Sequence, residues 1–147
     1  MMTPYTFGHR LIKDWFMDDA DFLIHILDQQ NPKEAIADCI ELADGMELPE
    51  FTVQSEPYQE GFVQIIHLPQ AQDITEPKYI VIIDWLVEQQ LFFCECSVEG
   101  SYILGQWTDT AHHNHGETDG SSPQAFLKSI EKKGLLNKPE MFKANYE

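Results

Sequence analysis

A chain of 147 residues with 25 Asp and Glu against 9 Lys and Arg carries a formal net charge of −16. That length suits one domain with a sizeable core, and the charge repels nucleic acid and anionic membrane while favouring cationic partners or metal ions. No run reaches the roughly 18–20 apolar residues of a membrane span, and the opening MMTPYTFGHR lacks the basic start and apolar stretch of a secretory signal.

The charge is unevenly spread. Residues 34–127 hold 17 acidic side chains and one basic side chain, Lys78, whereas residues 1–33 sum to −2 and residues 128–147 to +2. The three cysteines are an odd number. They read as reduced thiols, which places the protein in the cytoplasm.

Taken in order, residues 1–17 are rich in apolar and aromatic side chains and read as an irregular lead-in or a short helix around Arg10–Met17. From Asp18 the pattern is helical, with Asp18, Asp19 and Asp21 as cap and acidic first turn and Phe22, Leu23, Ile26 and Leu27 recurring at helical spacing. Asn31-Pro32-Lys33-Glu34 starts a second helix, because Asn31 caps, Pro32 fits the first helical position and Glu34 reaches back. Its stripe runs from Ala35 and Ile36 to Ile40 and Ala43, and Asp44-Gly45 supplies a left-handed stop. The short connection makes the two helices an antiparallel hairpin.

Glu47–Gly61 reads as a loop with room for a short strand at Phe51–Gln54. Phe62–Leu68 then alternates as a strand, and Pro69–Pro77 is a polar loop. The stretch Tyr79–Thr108 organises the rest. Tight turns at Glu88-Gln89 and Glu99-Gly100 divide it into strands at residues 79–87, 90–98 and 101–108. Two-residue turns place Ile83 near Cys94 and Phe92 near Trp107. They assemble an uncharged face of Tyr79, Val81, Ile83, Trp85, Phe92, Cys94, Cys96, Val98, Ile103 and Trp107. The reverse face mixes Asp84, Glu95, Ser97, Gln106 and Thr108 with Ile80, Ile82, Leu86, Phe93 and Leu104. A helix, a second copy of the chain forming a homodimer, or another protein would cover it. Asp109–Ser122 reads as a loop, Ser122–Lys133 as a third helix and residues 135–147 as a loosely docked tail. The whole is one α+β domain over residues 1–147. An antiparallel sheet of about four strands (62–68, 79–87, 90–98, 101–108) has one face covered by the N-terminal helical hairpin and the C-terminal helix.

The loop 109–119 holds the metal-type ligands His112, His113, His115 and Glu117, flanked by Asp109 and Asp119. His113 and His115 share a side if the segment is extended. The run His113-x-His115-x-Glu117-x-Asp119 is similar to one half of a cupin metal motif, but its carboxylate spacing departs from that pattern and no second histidine motif follows, so no family is assigned. The bland alternative is a polar surface loop; a pH-sensitive or partner-binding histidine contact is a third. Cys94 and Cys96 project from the core face and read as inert thiols rather than as a metal site or nucleophile. Asp84 interrupts an apolar strand; it is either solvent-facing or a carboxyl of raised pKa able to act as a general acid or base. His25 and His67 read as packed or surface residues, and Ser121-Ser122 as a helix cap. No phosphate loop, dinucleotide fingerprint or basic aromatic strip is present.

The functional expectation is a small acidic protein-binding module, of inhibitor, immunity or chaperone type, for a basic partner. The alternative is a metal-binding protein or metal-dependent enzyme using the histidine-rich loop.

Overall fold

The computed structural model describes residues 2–40, 45–58, 61–72, 76–85, 90–97, 103–107, 112–117 and 123–133. In chain order it comprises helix α1 (Pro4–His9), a π-helical continuation (Arg10–Met17), α2 (Ala20–Leu27), α3 (Pro32–Cys39), strands β1 (Thr52–Tyr58), β2 (Gly61–His67), β3 (Pro77–Trp85), β4 (Gln90–Ser97), β5 (Ile103–Trp107) and β6 (His112–Glu117), and α4 (Pro123–Lys133). The class is α+β. The four expected strands are β2 to β5, and β1 and β6 extend them into a six-stranded antiparallel meander in simple sequence order.

The helix starts follow their local chemistry. The Asp19 carboxylate accepts from the Phe22 N–H at 3.2 Å, and the Asn31 side chain accepts from the Glu34 N–H at 3.2 Å. Each satisfies an amide that the first helical turn leaves without a backbone partner. Pro32 occupies the first turn of α3, where its missing N–H costs nothing. The end of α3 differs from expectation. The helix stops at Cys39, with Ile40 in an extended conformation, although Gly45 does adopt the left-handed φ of 76° expected at the end of the stripe.

Helices occupy both sides of the sheet, not one. The α1–α3 region packs Phe7, Leu11, Phe16, Leu23 and Ile36 against Ile66, Ile80, Ile82 and Phe93. The Phe16 and Phe93 rings lie 5.3 Å apart. On the opposite side Val63, Ile65, Val81, Ile83, Phe92, Cys94 and Cys96 form a second cluster, with Leu127 of α4 packed on it. The mixed reverse face is therefore the larger core, because its isoleucines and Phe93 meet the apolar stripes of the N-terminal helices. Apart from a cleft left open at the Asp84 end, that face is packed over its described residues by the chain's own helices. Close approach there needs Gly8, where a Cβ would fall 2.9 Å from Glu95 Oε1 and 3.0 Å from Pro77 Cγ.

The register corrects the expected turns, which themselves lie outside the described residues. Ile83 pairs with Phe92 rather than with Cys94, a two-residue slip that leaves every face assignment intact. Phe92 pairs with Gln106 rather than with Trp107. That slip is of one residue, so Ile103, Gly105 and Trp107 exchange faces relative to expectation. β6 overturns the reading of His112–Glu117 as loop. It pairs antiparallel with β5, and a register shift between Leu104 and Gly105 leaves His115 without an opposite residue.

Candidate functional site

On the helix-covered face the pairing sets up a row at one end of the sheet. Phe62 on β2 lies opposite Asp84 on β3, and Asp84 opposite Leu91 on β4. One pair further in, Ser55 on β1 lies opposite Gln64 on β2. The chain leaving α2 overhangs this end. Together they bound a cleft of about 220 Å³, lined by Leu27–Gln30 and Pro32 above and by Ser55, Phe62, Gln64 and Asp84 below.

Asp84 and Gln64 are the buried polar residues of the described core, each 5% exposed. Gln64 has partners: the Ser55 hydroxyl donates to its Oε1, and its Nε2 donates to the Leu27 carbonyl at 3.5 Å. Gln64 thus ties β1 and β2 to the end of α2. Asp84 receives no hydrogen bond and no cation from any described residue. Burial pushes its carboxyl up to about 6, and the negative charge of Asp28 adds to the shift. Phe62, 45% exposed, stands at the mouth. The arrangement is a polar notch with two carboxylates, one sunk and one at the rim, and an aromatic ring beside them. Chemically it can hold a cation, or exchange a proton near neutral pH.

A larger cleft of about 360 Å³ lies among Arg10, Asp14, Trp15, Asp19, Phe22, Cys39 and Ile40. Its charged groups are already engaged: Arg10 pairs with Asp14 at 3.8 Å and Asp19 caps α2. Glu95 is the other carboxyl displaced by burial, which pushes it to about 7, but it lies under Gly8 between α1 and the sheet and lines neither cleft.

The residues singled out in the sequence scatter. His112, His113, His115 and Glu117 all fall in β6, whose backbone pairing is described; their side chains, and Asp109, Asp119, Ser121 and Ser122, lie outside the described residues. No group of three or more His, Cys, Asp or Glu is placed to hold a metal among the described residues. Cys94 and Cys96 are fully buried with their sulfurs 3.8 Å apart, and burial drives the Cys94 thiol strongly upward, as expected of inert thiols. His25 is exposed, and His67 stacks on Tyr79 at 4.8 Å. Asp84, flagged as a carboxylate in an apolar strand, is sunk in the helix-covered face instead of reaching open solvent. Gln64 was missed. Its signal was a polar residue between Val63 and Ile65 on a neighbouring strand, which the register brings to within one pair of Asp84.

Comparison with protein-family models, with curated proteins and with solved structures finds no match for this chain.

Proposed function

We propose that the protein is a small acidic protein-binding module, of inhibitor, immunity or chaperone type, that engages a basic partner protein. The observation that carries this reading is the charge: 17 acidic side chains against Lys78 alone over residues 34–127. The ion pair formed among the described residues, Arg10–Asp14, lies outside this stretch. Such a surface steers a cationic partner by long-range attraction and raises its association rate in a salt-dependent way. The N-terminal helices pack on the mixed sheet face but leave a cleft open at its Asp84 end, so the reading rests on the outer surface and on that cleft. The test is affinity capture at low salt, followed by purification of the retained protein and stopped-flow association at rising ionic strength. A basic partner whose association rate falls steeply with salt is the expected result. A neutral or acidic partner, or a rate indifferent to salt, overturns the reading.

A second reading has one observation in its favour. His112–Glu117 is a strand at the end of the sheet order, so the four candidate ligands fall within six consecutive residues of one element. Metal binding by His112, His113 and His115, with Glu117 as ligand or base, is the alternative function.

A further inference from the structure

We infer that the notch formed by Asp84, Asp28, Gln64 and Phe62 receives a lysine or arginine side chain of the basic partner. The inference rests on the acidic-module reading and names the point at which that module grips.

Three observations converge on it. The first is the unpaired carboxylate. Asp84 is 95% buried, lines the cleft and has no hydrogen bond or cation from any described residue. A buried carboxylate left unpaired costs stability, and groups of this kind are ordinarily paired. The free chain therefore holds half of an ion pair. The second is the sign of everything around it. Asp28 faces Asp84 across the cleft and disfavours its charge. α2 ends at this cleft, with Leu27 its last residue and Asp28 its C-cap both in the lining, and a helix C-terminus favours cations. No Lys, Arg or His lines the cleft among the described residues. The third is size and shape. At about 220 Å³ the cleft is smaller than the roughly 300–1,000 Å³ of typical small-molecule sites. It suits a single long side chain. Phe62 at the mouth offers an aromatic face to the methylenes and to the cationic head.

The bound geometry follows from these parts. The ammonium or guanidinium passes Asp28 at the rim and ends at Asp84. The stem lies along Phe62, Leu27 and Pro32. Gln64, held by Ser55 and Leu27, keeps the floor in place.

The experiment uses the full chain and two fluorescein-labelled peptides. One alternates lysine with alanine; in the other every lysine is replaced by ornithine, which keeps the charge at mildly alkaline pH on a side chain one methylene shorter. Binding is followed by fluorescence anisotropy at low salt and mildly alkaline pH. The proteins are the wild type, Asp84→Asn and Asp38→Asn. Asp38 is exposed on α3 and does not line the notch, so its variant makes the same charge change elsewhere. The wild type is expected to bind the lysine peptide about tenfold more tightly than the short-chain peptide, as for a desolvated charge pair. Asp84→Asn is expected to lose that preference and Asp38→Asn to keep it. Asp84→Asn removes a buried charge and keeps the shape, so a folding failure does not stand in for a binding loss. Equal binding of both peptides by the wild type, or equal losses in the two variants, would mean diffuse attraction; the notch assignment falls while the acidic-module reading survives. No binding of either peptide by any of the proteins overturns both.

Discussion

Replacing Asp84 by asparagine should stabilise the protein, and by more as the pH rises. The side chain keeps its shape and loses its charge. In the folded chain the carboxyl is pushed from 3.8 up to about 6 by burial and by Asp28. A raised carboxylate holds its proton more firmly when folded than when unfolded, so ionisation costs folding free energy. The cost is absent below the unfolded value of 3.8, grows between there and about 6, and is complete above that. About two pH units correspond to about 3 kcal/mol. For a chain of this size that is a rise in melting temperature of roughly 6–12 °C. Urea unfolding of wild type and Asp84→Asn, followed by tryptophan fluorescence from about pH 4 to about pH 8, measures it. The two curves should meet at the acid end and separate steadily upward. A variant less stable than the wild type at the alkaline end, or a difference that does not change with pH, would refute the placement of Asp84 as a buried, unpaired carboxylate.

Glu95→Gln should act in the same direction, with its gain complete only above about pH 7, because burial pushes this carboxyl from 4.5 to about 7; a gain already complete near pH 5 would contradict that placement. Of the three thiols only Cys39 is exposed, so a thiol reagent should modify one cysteine per native chain and all three after denaturation; rapid modification of Cys94 or Cys96 in the native protein would show the second core cluster to be loose. Phe93→Ala should cost roughly 3–5 kcal/mol, since the ring is fully buried and packed 5.3 Å from Phe16; a loss under about 1 kcal/mol in denaturant unfolding would mean that the N-terminal helices do not cover this face. Elemental analysis of untagged protein discriminates the metal reading: one equivalent of a transition metal, lost on His113→Ala, supports it, and unchanged metal content in His113→Ala/His115→Ala removes it.

The parts of the fold legible in the sequence were those specified by local chemistry or by period. Asp19 and Asn31 cap as their positions imply, because a cap needs only its own next three residues. The strands β2 to β5 follow from alternation and were found. Register was less legible, because it depends on turn length. The β3–β4 pairing departs from expectation by two residues and leaves the faces unchanged; the β4–β5 pairing departs by one and exchanges the faces of β5. β6 was hidden because His112–Glu117 is uniformly polar and offers no alternation, so only pairing with β5 reveals it. The mixed face asks for a cover because Ile80, Ile82 and Phe93 stand beside Asp84 and Glu95, and the N-terminal helices supply it, leaving those three apolar residues fully buried. Two carboxylates in a row of isoleucines signalled strain on a core face.

Those two carboxylates then separate by what surrounds them. Both carry a folding cost from burial, and no described residue offsets either with a cation. Glu95 is half-buried under α1, where a Cβ on Gly8 would crowd it, and it lines neither cleft. Asp84 opens onto a cleft with a second carboxylate at the rim and an exposed ring at the mouth. There a cation from outside would remove the cost. Binding would then restore stability by mass action, since a ligand that pairs with the folded state alone shifts the folding equilibrium. On the proposed reading, a side chain that destabilises the free chain and is stabilising only in a complex suits a module that takes up a cationic side chain where α2 ends.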